Sequence, residues 1–175
     1  QDRLVQELNN ALEGMDPNSG EYYDTVTTKI AYLDATIKET LRMYPPVPSV
    51  NRRAGIDGYK LAGITLPKDQ VVQIGVYTVH HSPEYYPDPE RFNPDRFMPE
   101  NKHLLVPDTY LPFGIGPRNC VGMRFALKEA KLGLANIVDR FKIMPTQQTP
   151  NQLQLGLCSP VLKTEPIYLK VNKRM

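Results

Sequence analysis

PFGIGPRNCVGMRF, residues 112–125, sets one cysteine, Cys120, in a stretch with three glycines and two prolines, with Arg118 and Arg124 close on either side. A structural cysteine is ordinarily a small buried hydrophobe in apolar surroundings. This one falls where backbone freedom and positive charge concentrate, just ahead of a long segment of helical periodicity. The first four or so N–H groups of a helix lack partners inside it, and they and a nearby cation both stabilise a thiolate. Gly114, Gly116 and Gly122 let backbone approach a ligand, Pro117 stiffens the loop, and Phe113 can pack beside the sulfur. The stretch reads as a working thiolate.

Three chemistries use such a sulfur. A nucleophile needs a base, and His80 or His81 is the nearest candidate in sequence. A zinc site needs about four ligands at recognisable spacing, which Cys120, Cys158 and three histidines do not supply. A lone thiolate can ligate haem iron, with a cation such as Arg118 for a haem propionate.

The 175 residues suffice for one domain, and an apolar content of 41% argues against disorder. Twenty-one basic against 19 acidic side chains, a net +2, do not suit nucleic acid. The basic tail Lys170, Lys173, Arg174 reads as a solvated terminus. No apolar run reaches the roughly 18 residues of a membrane span, and no signal peptide is visible ahead of the first helical pattern. Two widely spaced cysteines suit a reducing compartment. Eight of the 17 prolines cluster at 45–48 and 83–99, as punctuation rather than low complexity.

Leu4, Leu8 and Leu12 predict a helix over 1–13, ended by Gly14. DPNSG, 16–20, reads as loop. Ile30, Leu33, Ile37 and Leu41 predict a helix from about Thr28 to Met43, stopped by Pro45 and Pro46. Short strands are expected at Tyr59–Leu61, Ile64–Leu66 and Val71–Val76. Residues 83–99, with PERF and PDRF as near-copies, predict an ordered meander packed by aromatics. The longest helix is expected over Val121–Phe141, striped by Met123, Leu127, Ala130, Leu134, Ile137 and Phe141. A hairpin over 153–171, turning near 159–165, closes the chain. The fold class is mainly α with small β-sheets (α+β), without βαβ alternation. Glu39 and Arg42, i and i+3 on the second helix, point away from its apolar stripe. Taken alone, such a pair reads as an exposed ion pair.

Phe113-x-x-Gly116-x-Arg118-x-Cys120-x-Gly122 matches the haem-binding signature of the cytochromes P450, and the chain resembles the C-terminal part of that fold. The resemblance implies a C-terminal fragment of a single P450 domain over 1–175. Within it, 1–44 would be helices including E-x-x-R, 45–82 small sheet, 83–111 meander, 112–122 cysteine loop, 121–141 long helix and 142–175 C-terminal hairpin. Cys120 would be the axial iron ligand of haem b, and Phe113, Gly116, Arg118, Gly122, Ala126 and Arg52 would contact the cofactor. Arg52 matches the propionate arginine better than Arg53. Glu39, Arg42 and Arg96, with Arg91 nearby, would form a buried structural network between helix and meander. Pro48, Ser49, Val50, Leu157 and Cys158 would line the substrate pocket. His80 reads as a satisfied structural histidine, His103 as surface, and Met123 as packing.

The family likeness implies a haem-thiolate monooxygenase that inserts one oxygen atom of O2 into a lipophilic substrate (xenobiotic, steroid or lipid). Electrons would come from NADPH through NADPH–cytochrome P450 reductase, with cytochrome b5 a second candidate donor. GPRNCVGMRFALKEAKLGL looks most like the animal microsomal branch, which implies the cytoplasmic face of the endoplasmic reticulum membrane. The A-G-x-[DE]-T segment, the W-x-x-x-R segment and an N-terminal anchor have no counterpart here. The expectation is therefore a piece of a longer protein, inactive and loosely folded by itself. The alternatives are a haem-thiolate isomerase or dehydratase of fatty-acid peroxides, and a non-catalytic haem-binding fragment.

Overall fold

A computed structural model describes residues 1–151, 153–158 and 161–174, and the side chains of these except Leu157 and Cys158. Apolar spacing in the first residues gives α1 (Asp2–Leu12), which buries Leu4 and Leu8. α2 (Gly20–Thr28) starts at Ser19, whose hydroxyl accepts the Tyr22 N–H at 3.1 Å. α3 (Ala31–Met43) has no cap of its own. Glu7 of α1 supplies one: its carboxylate accepts the Ala31 and Tyr32 N–H groups at 3.1 and 2.9 Å. α5 (Met123–Arg140) presses Ala135 and Val138 into a core built from Leu4, Leu8, Tyr22, Val26, Ile30, Leu33 and Ile37. Lys131 of α5 fastens the layer from outside, donating to Thr27 O at 2.9 Å and pairing with Asp34 at 2.7 Å.

Among the described residues, four two-stranded antiparallel sheets accompany these helices. β1 (Val50–Arg53) pairs with β4 (Val71–Ile74). β2 (Tyr59–Leu61) and β3 (Ile64–Leu66) form a hairpin whose turn residues Ala62 and Gly63 both have positive φ, 47° and 84°. β5 (Phe141–Pro145) pairs with β8 (Leu169–Lys173), and β6 (Leu155–Cys158) with β7 (Val161–Thr164). Between β4 and the meander lies a short α4 (Val76–His80). The meander itself holds two 3-10 segments, Pro94–Phe97 and Pro99–Leu104.

The α+β class agrees with the sequence reading; several elements do not. The expected loop runs directly into α2, a helix the apolar spacing does not announce, and the helix expected from about Thr28 begins at Ala31, after a break at Lys29 and Ile30. α2 escapes the periodicity test because two of its four buried residues are threonines, Thr25 and Thr27 beside Tyr22 and Val26. β4 stops at Ile74, where Gly75 turns the chain into α4. β1, with the polar sequence VNRR, lies inside the expected small-sheet region but outside the three strands read from alternation. The long helix ends at Arg140, and Phe141 opens a strand. Its packed face is rotated from the expected stripe, with Ala135 and Val138 buried while Ile137 stays exposed. The single closing hairpin is instead two sheets, since β8 returns to β5 rather than to β6.

Candidate functional site

The E-x-x-R pair of α3 is fully buried, against the ordinary expectation for such a pair. Arg42 Nε and Nη2 grip the two Glu39 oxygens at 2.8 and 2.9 Å. Nη2 also donates to Pro89 O at 2.7 Å, and Nη1 to His80 O at 2.8 Å. Glu39 Oε1 accepts the Asn93 N–H at 2.8 Å as well. Buried charge is tolerable because nearly every donor and acceptor is matched. Arg96 joins more loosely: its Nε lies 3.4 Å from Glu39 Oε1 but makes no hydrogen bond, while Nη2 donates to Asp88 O at 2.9 Å. Ionic attraction tolerates that misalignment, so Arg96 adds charge but little geometry. Arg91 is exposed, and no contact joins it to the pair.

His80, the last residue of α4, is also fully buried. Its Nε2 accepts the Leu111 N–H at 2.8 Å, and Nδ1 lies 3.0 Å from Arg42 O. The ring stacks on Tyr110 and meets Tyr86 edge-on. Burial pushes its pKa down to about 4, and the Arg42 charge works in the same direction. Burial pushes the Tyr110 hydroxyl well above its ordinary range.

Leu111 leads straight into the cysteine loop. Gly114 N–H donates to Leu111 O at 3.0 Å, and Cys120 N–H to Phe113 O at 2.8 Å, which folds the loop back on itself. Gly114 and Gly116 have φ of +69° and +72°, where a side chain would strain the backbone. Gly122 caps α5 with φ −85°, so its freedom is not used there. Cys120 is an exposed free thiol two residues ahead of that cap.

Cys120, Phe113, Arg118, Arg52 and Val50 line one concavity of about 350 Å³, together with Pro46, Val47 and Leu111. Arg52 reaches it from β1, whereas its neighbour Arg53 turns to Asp69 O at 3.3 Å. Gly116, Gly122 and Ala126 are not among its lining residues. Pro48 and Ser49 face a different concavity of about 600 Å³, with Gln73, Tyr77, Leu155 and Leu162. Leu157 and Cys158 lie in β6, but their side chains fall outside the described residues. His80 and His81 do not line the cysteine concavity: His80 has both nitrogens engaged, and His81 stacks on Tyr77 at 3.9 Å. The nucleophile alternative thus has no base from either. Among the described residues no cluster of three or more His, Cys, Asp or Glu could hold a metal, and none of their helices is long and apolar enough to cross a membrane. What remains is one soft sulfur donor, two guanidinium groups and an apolar wall. That donor set suits a metal held by a single thiolate within an anionic organic frame.

The pairings of His80 could not have been found from spacing, since its partners lie 31 and 38 residues away. The bond from the Asn93 N–H to Glu39 is equally invisible to spacing, because its donor is backbone.

Known proteins give a consistent answer. The chain is 41% identical to rat cytochrome P450 3A1 over 99% of its length. It is 40% identical to cytochrome P450 9e2 of the cockroach Blattella germanica over 89%, and 38% identical to cytochrome P450 3A19 of the goat Capra hircus aegagrus over 98%. It spans 34% of the rat protein, 29% of the cockroach protein and 78% of the goat sequence. The family model described as Cytochrome P450 matches residues 1–171, and the chain belongs to the cytochrome P450 family.

Proposed function

We propose that the intact protein is a haem-thiolate monooxygenase and that Cys120 is its iron ligand. The observation that carries this reading is the shared concavity of an exposed Cys120, Arg118 and Arg52. Haem fits that donor set: Cys120 would hold the iron, Arg118 and Arg52 the propionates, and Phe113 would shield the sulfur from water. Bound haem supplies activation of O2, one atom entering the substrate and the other leaving as water with two electrons and two protons. The chain's own part is to present the sulfur on a short, hydrogen-bonded loop and keep it fixed against α3 and the meander. Glu39, Arg42 and Arg96 contribute there as structure, not as reacting groups.

The substrate would be lipophilic, and Val50 and Val47 offer apolar surface beside the sulfur. NADPH–cytochrome P450 reductase would supply electrons, with cytochrome b5 as a second donor. The similarity to animal members supports placement at the cytoplasmic face of the endoplasmic reticulum membrane. The test is turnover of a lipophilic substrate by the intact protein under 18O2. Product carrying 18O only when NADPH and reductase are present supports the assignment. Rearrangement of a fatty-acid peroxide without either reductant or O2 would replace it with the isomerase reading.

A further inference from the structure

His80 is buried, does not itself line the cysteine concavity, and has every polar atom of its ring and main-chain carbonyl engaged with two distant segments. The Leu111 amide can only donate, so Nε2 must present its lone pair. The proton then resides on Nδ1 and is donated to Arg42 O, which fixes the neutral tautomer from both ends. Arg42 answers through its guanidinium, which donates to His80 O at 2.8 Å. Leu111 in turn begins the short series that ends at the sulfur: Leu111 O accepts from Gly114, and Phe113 O from Cys120. Tyr110, stacked on the ring, donates its hydroxyl to Lys38 O at 3.3 Å and so ties the same turn to α3 again.

We propose that His80 is a positioning residue for the cysteine loop: a neutral imidazole strut that fixes the Leu111 amide against α3 and thereby sets where Cys120 stands. The part that concerns Cys120 rests on the haem-thiolate reading; the strut itself does not.

The two ends of the strut separate by substitution in the intact, haem-loaded protein. Gln at position 80 can place an acceptor near Nε2, whereas Asn can reach only the Arg42 side. In H80N, hydrogen exchange of the Leu111 amide should rise about tenfold, and the thiolate-type share of the carbon monoxide difference spectrum should fall severalfold. H80Q should restore both to within about a factor of two of wild type. Equal behaviour of the two variants, or an unchanged Leu111 amide in H80N, overturns the proposal. If H80N fails to fold, 15N-histidine spectra of the wild type still decide: protonated Nδ1 with bare Nε2 upholds the strut, and the opposite tautomer or an imidazolium at pH 7 overturns it. A wild type without a thiolate band would sink the haem-thiolate reading and the positioning of a ligand with it. The Leu111 exchange would then judge the strut alone.

Discussion

Arg42 and His80 hold each other from two sides. The Arg42 guanidinium donates to the His80 carbonyl at 2.8 Å, and the His80 ring nitrogen Nδ1 lies 3.0 Å from the Arg42 carbonyl. Helix α3, the end of α4 and, through Glu39 and Pro89, the meander are thereby locked into one unit, from which the cysteine loop departs at Leu111.

Removing one member of the buried pair should cost far more than an exposed ion pair would. In E39Q the Arg42 charge is left without its counter-ion, and in R42K the fork to Glu39, His80 and Pro89 is lost. Each should destabilise by about 3–5 kcal/mol, read as a fall in the urea midpoint with loss of bound haem. R96K should cost distinctly less, because Arg96 is only loosely aligned. Equal losses for R96K and R42K would contradict this ranking.

His80 gives stability a defined pH window. Its folded pKa lies near 4 against an ordinary 6.5. Above about 6.5 the ring is neutral in both states and its contribution is complete. As pH falls from 6.5 toward 4 the unfolded chain takes up a proton that the folded ring refuses, so stability should drop by up to about 1.4 kcal/mol per pH unit. Below about 4 both states are protonated and this loss levels off. Asp34 acts in a different window. Burial raises its pKa, but Lys131 and Lys38 outweigh that and hold it below 3.8, so its contribution is lost only at lower pH. Urea unfolding at a series of pH values should therefore show a slope between 6.5 and 4 that H80Q flattens and D34N does not.

Lys131 spans Thr27 and Asp34 with little of its side chain exposed. K131M keeps the stem and removes the charge, and should cost on the order of 1 kcal/mol after allowance for solvent at Asp34. The variant should also lose most of the salt dependence of α3–α5 packing. An unchanged midpoint would mean that the pair is merely superficial.

Much of the helical frame could be read from the chain, because Leu4–Leu8 and Ile30–Leu33–Ile37 are long stripes of one period. The cysteine loop was equally plain, being a dense local signature. What escaped reading depends on distant partners or mixed faces. Helix α2 buries threonines beside Tyr22 and Val26, so it shows no apolar stripe. The strand β1 is recognisable only through β4, and β8 could have joined β6 or β5 with equal local warrant. Burial of Glu39 and Arg42 came from family resemblance, since an i, i+3 pair alone says nothing about what will cover it. The division of Val50 from Pro48 and Ser49 between two concavities follows from the bend into β1, where adjacent residues turn to different sides.

Gly116 adopts φ +72° with open space around it, so the cost of a side chain there is conformational rather than steric. G116A should destabilise by about 1 kcal/mol, whereas G122A, at φ −85° with only the Cys120 sulfur 3.9 Å from the new carbon, should leave the unfolding midpoint unchanged. A G122A loss as large as that of G116A would show that the loop is held by space rather than by backbone angle.

Ligation of iron by the Cys120 sulfur is tested most directly by the carbon monoxide difference spectrum of the reduced, intact protein. Wild type should give the red-shifted Soret band of a thiolate ligand, and C120H should abolish it while still folding. An imidazole-type or ligand-free spectrum in the wild type, or an unaltered thiolate band in C120H, would contradict the assignment.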